Sequence, residues 1–212
     1  MRNSVKLISI SDNAENTLAF CARVSNPANQ DKPVGKLLAY CMEHGHWSVF
    51  EMANAIIEVN TTRDIARQIL RHRSFSFQEF SQRYAEPSAL GKEFVASEAR
   101  LQDQKNRQNS IAVDDEDLQG WWDYQVWSIQ QTAHSMYEEA MSKGIAKEVA
   151  RKVLPEGLTM SRMYMSGSIR SFLHYCNVRK DAATQLEHRK VALAINNMLS
   201  EHLPNLFTYE EL

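Results

Sequence analysis

The segment between residues 63 and 83 combines cationic side chains with hydroxyl and amide groups. Its cations are five arginines, without any lysine: Arg63, Arg67, Arg71, Arg73 and Arg83. A helix would place the first three on one face at four-residue intervals, where like charges repel. Guanidinium groups form paired hydrogen bonds with carboxylates and phosphates. The segment therefore suits an anionic ligand, although an exposed arginine face paired with distant acidic residues would explain the same spacing.

The residues that follow Arg73 favour the ligand site. In SFSFQEFSQR, which starts at Ser74, hydroxyl and amide side chains alternate with Phe75 and Phe77. An extended strand with this alternation buries the rings on one side and exposes the polar groups on the other. Small-ligand sites commonly combine an apolar base with a few polar groups in this way.

The elements that must position this segment follow from hydrophobic periodicity. Alternating and β-branched residues predict strands over residues 5–10 and 53–62. Helices are expected over residues 34–45, 64–71, 118–142, 145–154 and 181–203, and from residue 168 onward. Asp64 is expected to cap the helix over 64–71 and Asp181 the last one. Residues 97–120 are polar and predict no regular element, and strands followed mostly by helices indicate a single α+β domain over residues 1–212.

Composition limits the classes of function. The formal net charge of -2 does not favour binding to nucleic acid or to an anionic membrane surface. The three cysteines, Cys21, Cys41 and Cys176, match neither a zinc nor a disulfide spacing, which indicates a reducing compartment. No segment has the length of a membrane span, and the N-terminus lacks the apolar run of a signal peptide. We therefore expect a soluble cytoplasmic protein.

The arginine-rich segment also carries a specific motif. Its residues fit the spacing RHRxxSxxxxSxR, formed by Arg71, His72, Arg73, Ser76, Ser81 and Arg83. This motif resembles the signature of the flavin-dependent thymidylate synthases, the ThyX family. Other segments are similar to that family as well: ARVS at 22–25, HGHWSVFE at 44–51, EVARKVLP at 148–155, SIRSFLHYCNVR at 168–179 and QLE at 185–187.

The resemblance implies a reaction and an architecture. Members of the family methylate deoxyuridine monophosphate (dUMP) to thymidine monophosphate (dTMP), with methylenetetrahydrofolate as carbon donor and with FAD, reduced by NADPH, as hydride donor. No enzymic cysteine nucleophile is expected. The family fold is a twisted, antiparallel-type sheet with flanking helices and a helical region, and its members are homotetramers with active sites between subunits.

The resemblance also assigns roles to individual residues. The residues expected to bind FAD are Ser48, Glu51, Arg71, His72, Arg73, Glu79, Ser168, Arg170 and His174. The residues expected to bind dUMP are Gln68, Arg71, Glu79, Ser81, Gln82, Arg83, Arg151 and Arg179. Arg179 is the expected catalytic residue, which holds the pyrimidine edge and favours the ionised ring. Three positions, Gln78, Ser168 and His174, depart from the asparagine that is usual in the family, but each substitute can still form hydrogen bonds.

Alternatives remain open at this stage. Arg179 could instead join the helix from residue 168 to the last helix through Glu187. The arginine-rich segment could belong to a helical module that binds nucleic acid, or the chain could be a family homologue that binds nucleotide and flavin without turnover. No metal site is expected, because His44, His46 and His72 do not match zinc-ligand spacing.

Overall fold

The fold is organised around a four-stranded antiparallel sheet with strand order β1-β2-β6-β3. It is seen in a computed structural model that describes residues 4–91 and 93–211. The strands are β1 (Ser4–Ile10), β2 (Asn54–Thr62), β3 (Ser76–Glu79), β4 (Arg100–Gln102), β5 (Ser110–Ala112) and β6 (Met160–Ser168). Strands β4 and β5 pair with each other in a separate hairpin. The antiparallel sheet and the flanking helices confirm the predicted α+β class.

Strand β6 is the central partner that the sequence analysis missed. It pairs with β2 from Asn54↔Ser168 to Thr62↔Met160 and with β3 on its other side. Its methionines Met163 and Met165 are completely buried. The residues of β6 are chiefly serine, methionine and glycine, which are not the β-branched and aromatic types that mark strands in a sequence. The expectation that the later part of the chain is mostly helical was therefore wrong at this position.

Seven α-helices surround the sheet in the part of the chain that the structure describes. They are α1 (Ala14–Ala22), α2 (Leu37–Glu43), α3 (Arg63–Ile69), α4 (Glu116–Ser142), α5 (Lys147–Ala150), α6 (Ile169–Arg179) and α7 (Leu186–His202). Helices α6 and α7 pack against each other, and α7 covers β1. The core between them is closely packed, with Ile57, Phe172 and Ile195 fully buried. None of these helices is both long and apolar enough to cross a membrane.

The helix predictions over 118–142 and from residue 168 are confirmed, and the latter helix is capped by Ser168, whose Oγ accepts a bond from the Ser171 amide.

Four expectations about secondary structure were wrong in detail, two about helices and two about loops. Thr62, rather than Asp64, occupies the N-cap position of α3, which ends at Ile69. The stretch over 145–154 is only a short α-helix followed by a 3-10 turn.

The other two corrections concern loops. Asp181 does cap a turn, because its carboxylate accepts from the Ala183 amide at 2.8 Å, but α7 begins only at Leu186. The region over 97–120 is not irregular throughout, since it contains the β4–β5 hairpin and the start of α4, whose N-cap is Asp115.

Helix α4 presents an unusual surface. Its stretch over 124–137 contains no Asp, Glu, Lys or Arg. Trp121, Tyr124 and Trp127 are more than half exposed, and so is Met136. An exposed helix normally carries charged residues on its outer side, so this apolar surface is suited to contact with another protein surface.

Gly167 in β6 makes room for the ring of Phe75, the residue before β3. A Cβ atom at position 167 would lie 2.5 Å from Phe75 Cδ1 and 2.8 Å from Cε1. The Phe75 ring is confined by Phe172, whose ring centroid is 4.8 Å away, and by Tyr175 at 6.1 Å. It cannot move aside without displacing core side chains, so the absence of a side chain at 167 is a packing requirement.

We expect Gly167→Ala to destabilise the protein by about 1–3 kcal/mol, because the added methyl group overpacks this contact. Equilibrium unfolding in urea measures the change. The matched control is Gly120→Ala on α4, where a new Cβ meets nothing within 4 Å. There alanine should stabilise the helix by roughly 0.5–1 kcal/mol. An unchanged unfolding midpoint for Gly167→Ala would contradict the packing argument.

Candidate active site

The signature arginines Arg71 and Arg73 lie in the tight turn between α3 and β3. The turn is closed by backbone bonds from the His72 amide to the Ile69 carbonyl, 3.0 Å, and from the Phe75 amide to the His72 carbonyl, 3.2 Å. The buried Phe75 ring anchors it from below. Both arginines are exposed, and neither forms an ion pair within the described ranges. Their guanidinium groups are therefore available to an anionic ligand.

Helix α6 runs beside this turn. At its start, the Ser171 hydroxyl donates to the Ser74 carbonyl at 3.3 Å. At its end, Arg179 Nε donates to His72 Nε2 at 2.8 Å. The structure thus brings Arg179, the predicted catalytic residue, into contact with His72 of the signature, although the two residues are 107 positions apart in the sequence.

The contact with Arg179 fixes the state of the His72 ring. An accepting Nε2 requires a neutral imidazole whose proton is on Nδ1. Burial, together with the nearby charges of Arg179, His174 and Arg71, lowers the pKa of His72 to about 4. His72 therefore remains neutral near pH 7 and does not cancel the positive charge of Arg179.

A second cluster forms at the first turn of α6. Arg170 Nη1 lies 2.9 Å from Glu51 Oε1, and a hydrogen bond from Ser168 together with this pair lowers the pKa of Glu51 despite partial burial. Ser48 belongs to the same 3-10 helix as Glu51, Trp47–Glu51. His174 is exposed one turn beyond Arg170. The structure thus places together Glu51, Ser168 and Arg170, three of the residues predicted to bind flavin.

The first arginines of the segment have partners inside the chain, which corrects the expectation of an arginine face that needs an external anion. Arg63 lies 3.7 Å from Glu79, and Arg67 Nε donates to Glu156 at 2.7 Å. Arg71 lies beyond the end of α3 and does not continue their face. Glu79 also accepts a bond from Ser161 at 2.8 Å, so its carboxylate is held in a fixed orientation. For Arg63 and Arg67, the alternative interpretation, arginines paired with acidic residues of the same chain, was right.

The last signature residues form a turn after β3. Ser81 Oγ accepts from the Arg83 amide at 3.4 Å. Arg83 lies 3.5 Å from Glu148, but both side chains are more than half exposed, so this pair is weak and exchangeable. Gln82 is only 3% exposed, and its Nε2 has no hydrogen-bond partner within the described residues. A buried donor of this kind is costly unless a ligand accepts from it.

The remaining predicted ligands are Gln68 and Arg151. Arg151 is partly buried at the start of a 3-10 turn and forms no ion pair in the described part of the chain. Gln68 has both amide ends engaged: its Oε1 contacts His188 Nδ1 at 3.2 Å, and its Nε2 donates to Gln185 at 2.7 Å. Gln68 thus links the turn region of α3 to the start of α7 through His188 and Gln185.

His188 and Tyr175 are residues of this site that the sequence analysis missed. His188 is completely buried, and its Nε2 lies 3.1 Å from the Tyr175 hydroxyl. A signal was present in the sequence, because His188 occupies the apolar stripe of the last helix that continues through Val191, Ala192 and Ile195. A histidine in such a stripe indicates a buried polar network rather than a solvated side chain.

The donors of the site suit a nucleotide and a flavin. Unpaired guanidinium groups and the Gln82 amide can meet phosphate oxygens and the carbonyl edges of planar rings. Over residues 4–91 and 93–211, no group of three or more His, Cys, Asp or Glu side chains could hold a metal ion.

Comparisons with known proteins identify the family of this chain. A family model described as "Thymidylate synthase complementing protein" matches residues 6–205. A flavin-dependent thymidylate synthase of Synechocystis is 50% identical over 192 residues, which are 91% of this chain and 87% of that protein. A probable flavin-dependent thymidylate synthase of Paramecium bursaria Chlorella virus 1 is 44% identical over 212 residues, 96% of each chain.

A solved structure has the same fold. The UMP/dUMP methylase PolB from Streptomyces cacaoi, bound with 5-Br dUMP, superimposes with a TM-score of 0.84 over 96% of this chain and 92% of its own. Its sequence identity is 24%, so this likeness concerns the architecture alone. The family model and the two relatives decide the assignment: the chain belongs to the flavin-dependent thymidylate synthase family.

Proposed function

We propose that the protein methylates dUMP to dTMP, with methylenetetrahydrofolate as carbon donor, FAD as cofactor and NADPH as the reductant of FAD. The observation that carries the proposal is the complete signature from Arg71 to Arg83 in a chain 50% identical to a flavin-dependent thymidylate synthase. Reduced FAD would supply the hydride when bound. The residues of this chain would bind and orient the nucleotide and the flavin, and they would stabilise the charge that develops during the reaction.

The flavin contacts would come from the turn after α3 and from the start of α6. Arg71, His72 and Arg73 lie at the first of these places and the Glu51–Arg170 pair at the second. Ser48, Glu79, Ser168 and His174 complete the proposed set. The bond from Ser171 to the Ser74 carbonyl supports this assignment, because it holds the two groups of residues beside each other.

The nucleotide contacts would come chiefly from the signature turn. Arg83, Ser81 and Gln82 suit the phosphate and the sugar, with Arg71, Arg151, Gln68 and Glu79 as the other proposed ligands. The buried Gln82 Nε2 supports this assignment, since it has no acceptor in the described part of the chain. Arg83 can release its exposed pair with Glu148 at little cost when a phosphate approaches.

Arg179 would act on the pyrimidine ring. Its Nε–H is committed to His72, which leaves the four N–H groups on its two Nη atoms for the N3 and carbonyl edge of the ring. A guanidinium there stabilises negative charge that develops on the ring and does not lose its own proton. The alternative role for Arg179, a tie to Glu187, has less support, because the structure pairs Glu187 with Arg100 at 2.5 Å.

The cysteines agree with a mechanism that uses no enzymic thiolate. Cys41 and Cys176 are buried. Burial raises the pKa of both thiols, that of Cys176 to about 12, so neither would ionise readily near pH 7. All three cysteines are free, which supports a cytoplasmic location.

The experiment that tests this function starts with the spectrum of the purified protein. We expect bound FAD, NADPH oxidation that is faster with dUMP present, and dTMP formation only after methylenetetrahydrofolate is added. Flavin uptake without dTMP would identify a homologue without turnover. Tight binding of RNA or DNA by a protein that takes up no flavin would instead establish the nucleic-acid module.

Arg179→Ala should lower kcat by about 10²–10³, the usual cost of removing one donor that stabilises transition-state charge. The flavin spectrum and the melting temperature should stay unchanged. Arg179→Lys should recover only part of the loss, because an ammonium group cannot reproduce the guanidinium fork. Arg107→Ala is the matched control, an exposed arginine in the loop between β4 and β5. A lower melting temperature with normal kcat would assign Arg179 a structural role.

We further propose a homotetramer in which α4 contributes to the contacts between subunits. The exposed Tyr124, Trp127 and Met136 on its uncharged stretch, and the exposed Trp121 just before that stretch, support this assignment, because large apolar surfaces are uncommon on monomers.

Light scattering should give four times the mass of one chain for the wild type. The variant Trp127→Lys, which places a charge in the apolar surface of α4, should give a smaller mass at the same concentration. The control Tyr209→Lys changes another aromatic residue that is more than half exposed, outside α4, and should leave the mass unchanged. A monomeric wild type at micromolar concentration would contradict the proposal.

A further inference from the structure

We propose that His188, together with Tyr175 and Gln68, positions Arg179 through the ring of His72. The proposal rests on the proposed role of Arg179. It assigns His188 and Tyr175 to positioning without a contact with the substrate, and it gives Gln68 a second role beside its proposed contact with the nucleotide. It is carried by a chain of hydrogen bonds and ring contacts that leads from the buried start of α7 to the guanidinium group.

The hydrogen bonds of this network have a defined direction. Gln68 Oε1 can only accept, so His188 Nδ1, 3.2 Å away, carries the ring proton. Burial lowers the pKa of His188 to about 3, so the ring is neutral, and its Nε2 accepts from the Tyr175 hydroxyl at 3.1 Å. Gln68 donates in turn to Gln185 at 2.7 Å, and Gln185 donates to Glu187 at 3.1 Å.

Every member of this network therefore has its partner, and the direction of donation runs from Tyr175 to Glu187. Arg100 from the β4–β5 hairpin holds the final carboxylate at 2.5 Å. The two inner bonds, from Tyr175 to His188 and from His188 to Gln68, lie in the buried or partly buried interior, where hydrogen bonds in series polarise and strengthen one another. The Tyr175 hydroxyl is consequently held in one position. Packing of the core alone does not require this hydroxyl, because a phenylalanine would fill the same space.

Tyr175 connects this hydrogen-bond network to His72 through a ring contact. Its ring meets the His72 ring edge-on, with centroids 4.9 Å apart and planes at 77°. Arg179 lies one helical turn further along α6 and donates to His72 Nε2. The His72 ring is thus held between two residues of one helix, with its lone pair directed at Arg179 Nε.

This arrangement sets the direction of the guanidinium plane. The hydrogen bond at Nε restrains rotation of the Arg179 guanidinium group and directs its two Nη atoms away from His72. Misplacement of a catalytic group by about 1 Å can cost roughly 10²-fold in rate. His188 and Tyr175, which restrain His72, therefore contribute to turnover without a contact of their own with the nucleotide.

The test is a double-mutant cycle on kcat for dTMP formation. Tyr175→Phe keeps the ring and its contact with His72 but removes the hydroxyl. We expect it to lower kcat by about tenfold in the wild-type background, within the range expected for a misplaced group, and by less than about twofold in the Arg179→Ala background. A residue that only stabilises the fold would give equal losses in both backgrounds, and this result would overturn the proposal.

The matched control is Tyr137→Phe on α4. Tyr137 is also buried, but its hydroxyl has no hydrogen-bond partner in the described part of the chain. Its removal should leave kcat unchanged in both backgrounds. His188→Leu, which breaks the same network from the other side, should repeat the pattern of Tyr175→Phe. If His188→Leu does not fold, Tyr175→Phe decides the question alone.

A second measurement does not depend on turnover. The Arg179 Nε–H signal, observed by NMR, should be protected from exchange with water in the wild type and should lose that protection in Tyr175→Phe. Unchanged protection would overturn the proposal. Absence of dTMP synthesis by the wild type would refute the proposed function instead, and the exchange measurement would still report on the network.

Discussion

The antiparallel pairing of β6 with β2 and β3 is the constraint on which the candidate site depends. Strand β6 ends at Ser168, which pairs with Asn54 of β2 and also caps α6. The register of the sheet therefore determines where α6 begins and, eleven residues later, where Arg179 lies. On its other side β6 holds β3, and the turn before β3 carries His72. The two halves of the site meet because their strands are neighbours.

The arginines of the site differ in their partners, and the partner decides whether an arginine stabilises the fold or keeps its charge for a ligand. Arg63 and Arg67 are paired with carboxylates and serve the fold. Arg179 is held by a neutral imidazole, which orients the guanidinium without cancelling its charge. A carboxylate in the place of His72 would orient Arg179 equally well but would neutralise it, and the group could then stabilise less negative charge on a bound ring.

Much of this organisation could be predicted from the sequence. The signature and the alternation over β3 follow from local spacing, and the structure confirms the alternation, because Ser76 and Gln78 are exposed and Phe75 is buried. Strand β6 could not be predicted, because its methionines and serines favour no strand on their own and become a strand only between two partners. The pairing of Arg67 with Glu156, 89 residues away, depends on tertiary structure and has no local signal. The network around His188 had a single signal in the sequence, a polar residue in the apolar stripe of the last helix.

The tryptophans of this chain are distributed unevenly. Three of the four, Trp121, Trp122 and Trp127, lie on α4, and the central sheet contains none. Intrinsic fluorescence would therefore report mainly on the surroundings of one helix, whereas far-ultraviolet circular dichroism reports on the backbone as a whole. In the proposed tetramer, with α4 between subunits, dilution that separates the subunits would change the emission spectrum before any strand is lost. The two optical signals would accordingly distinguish dissociation from unfolding without an added label.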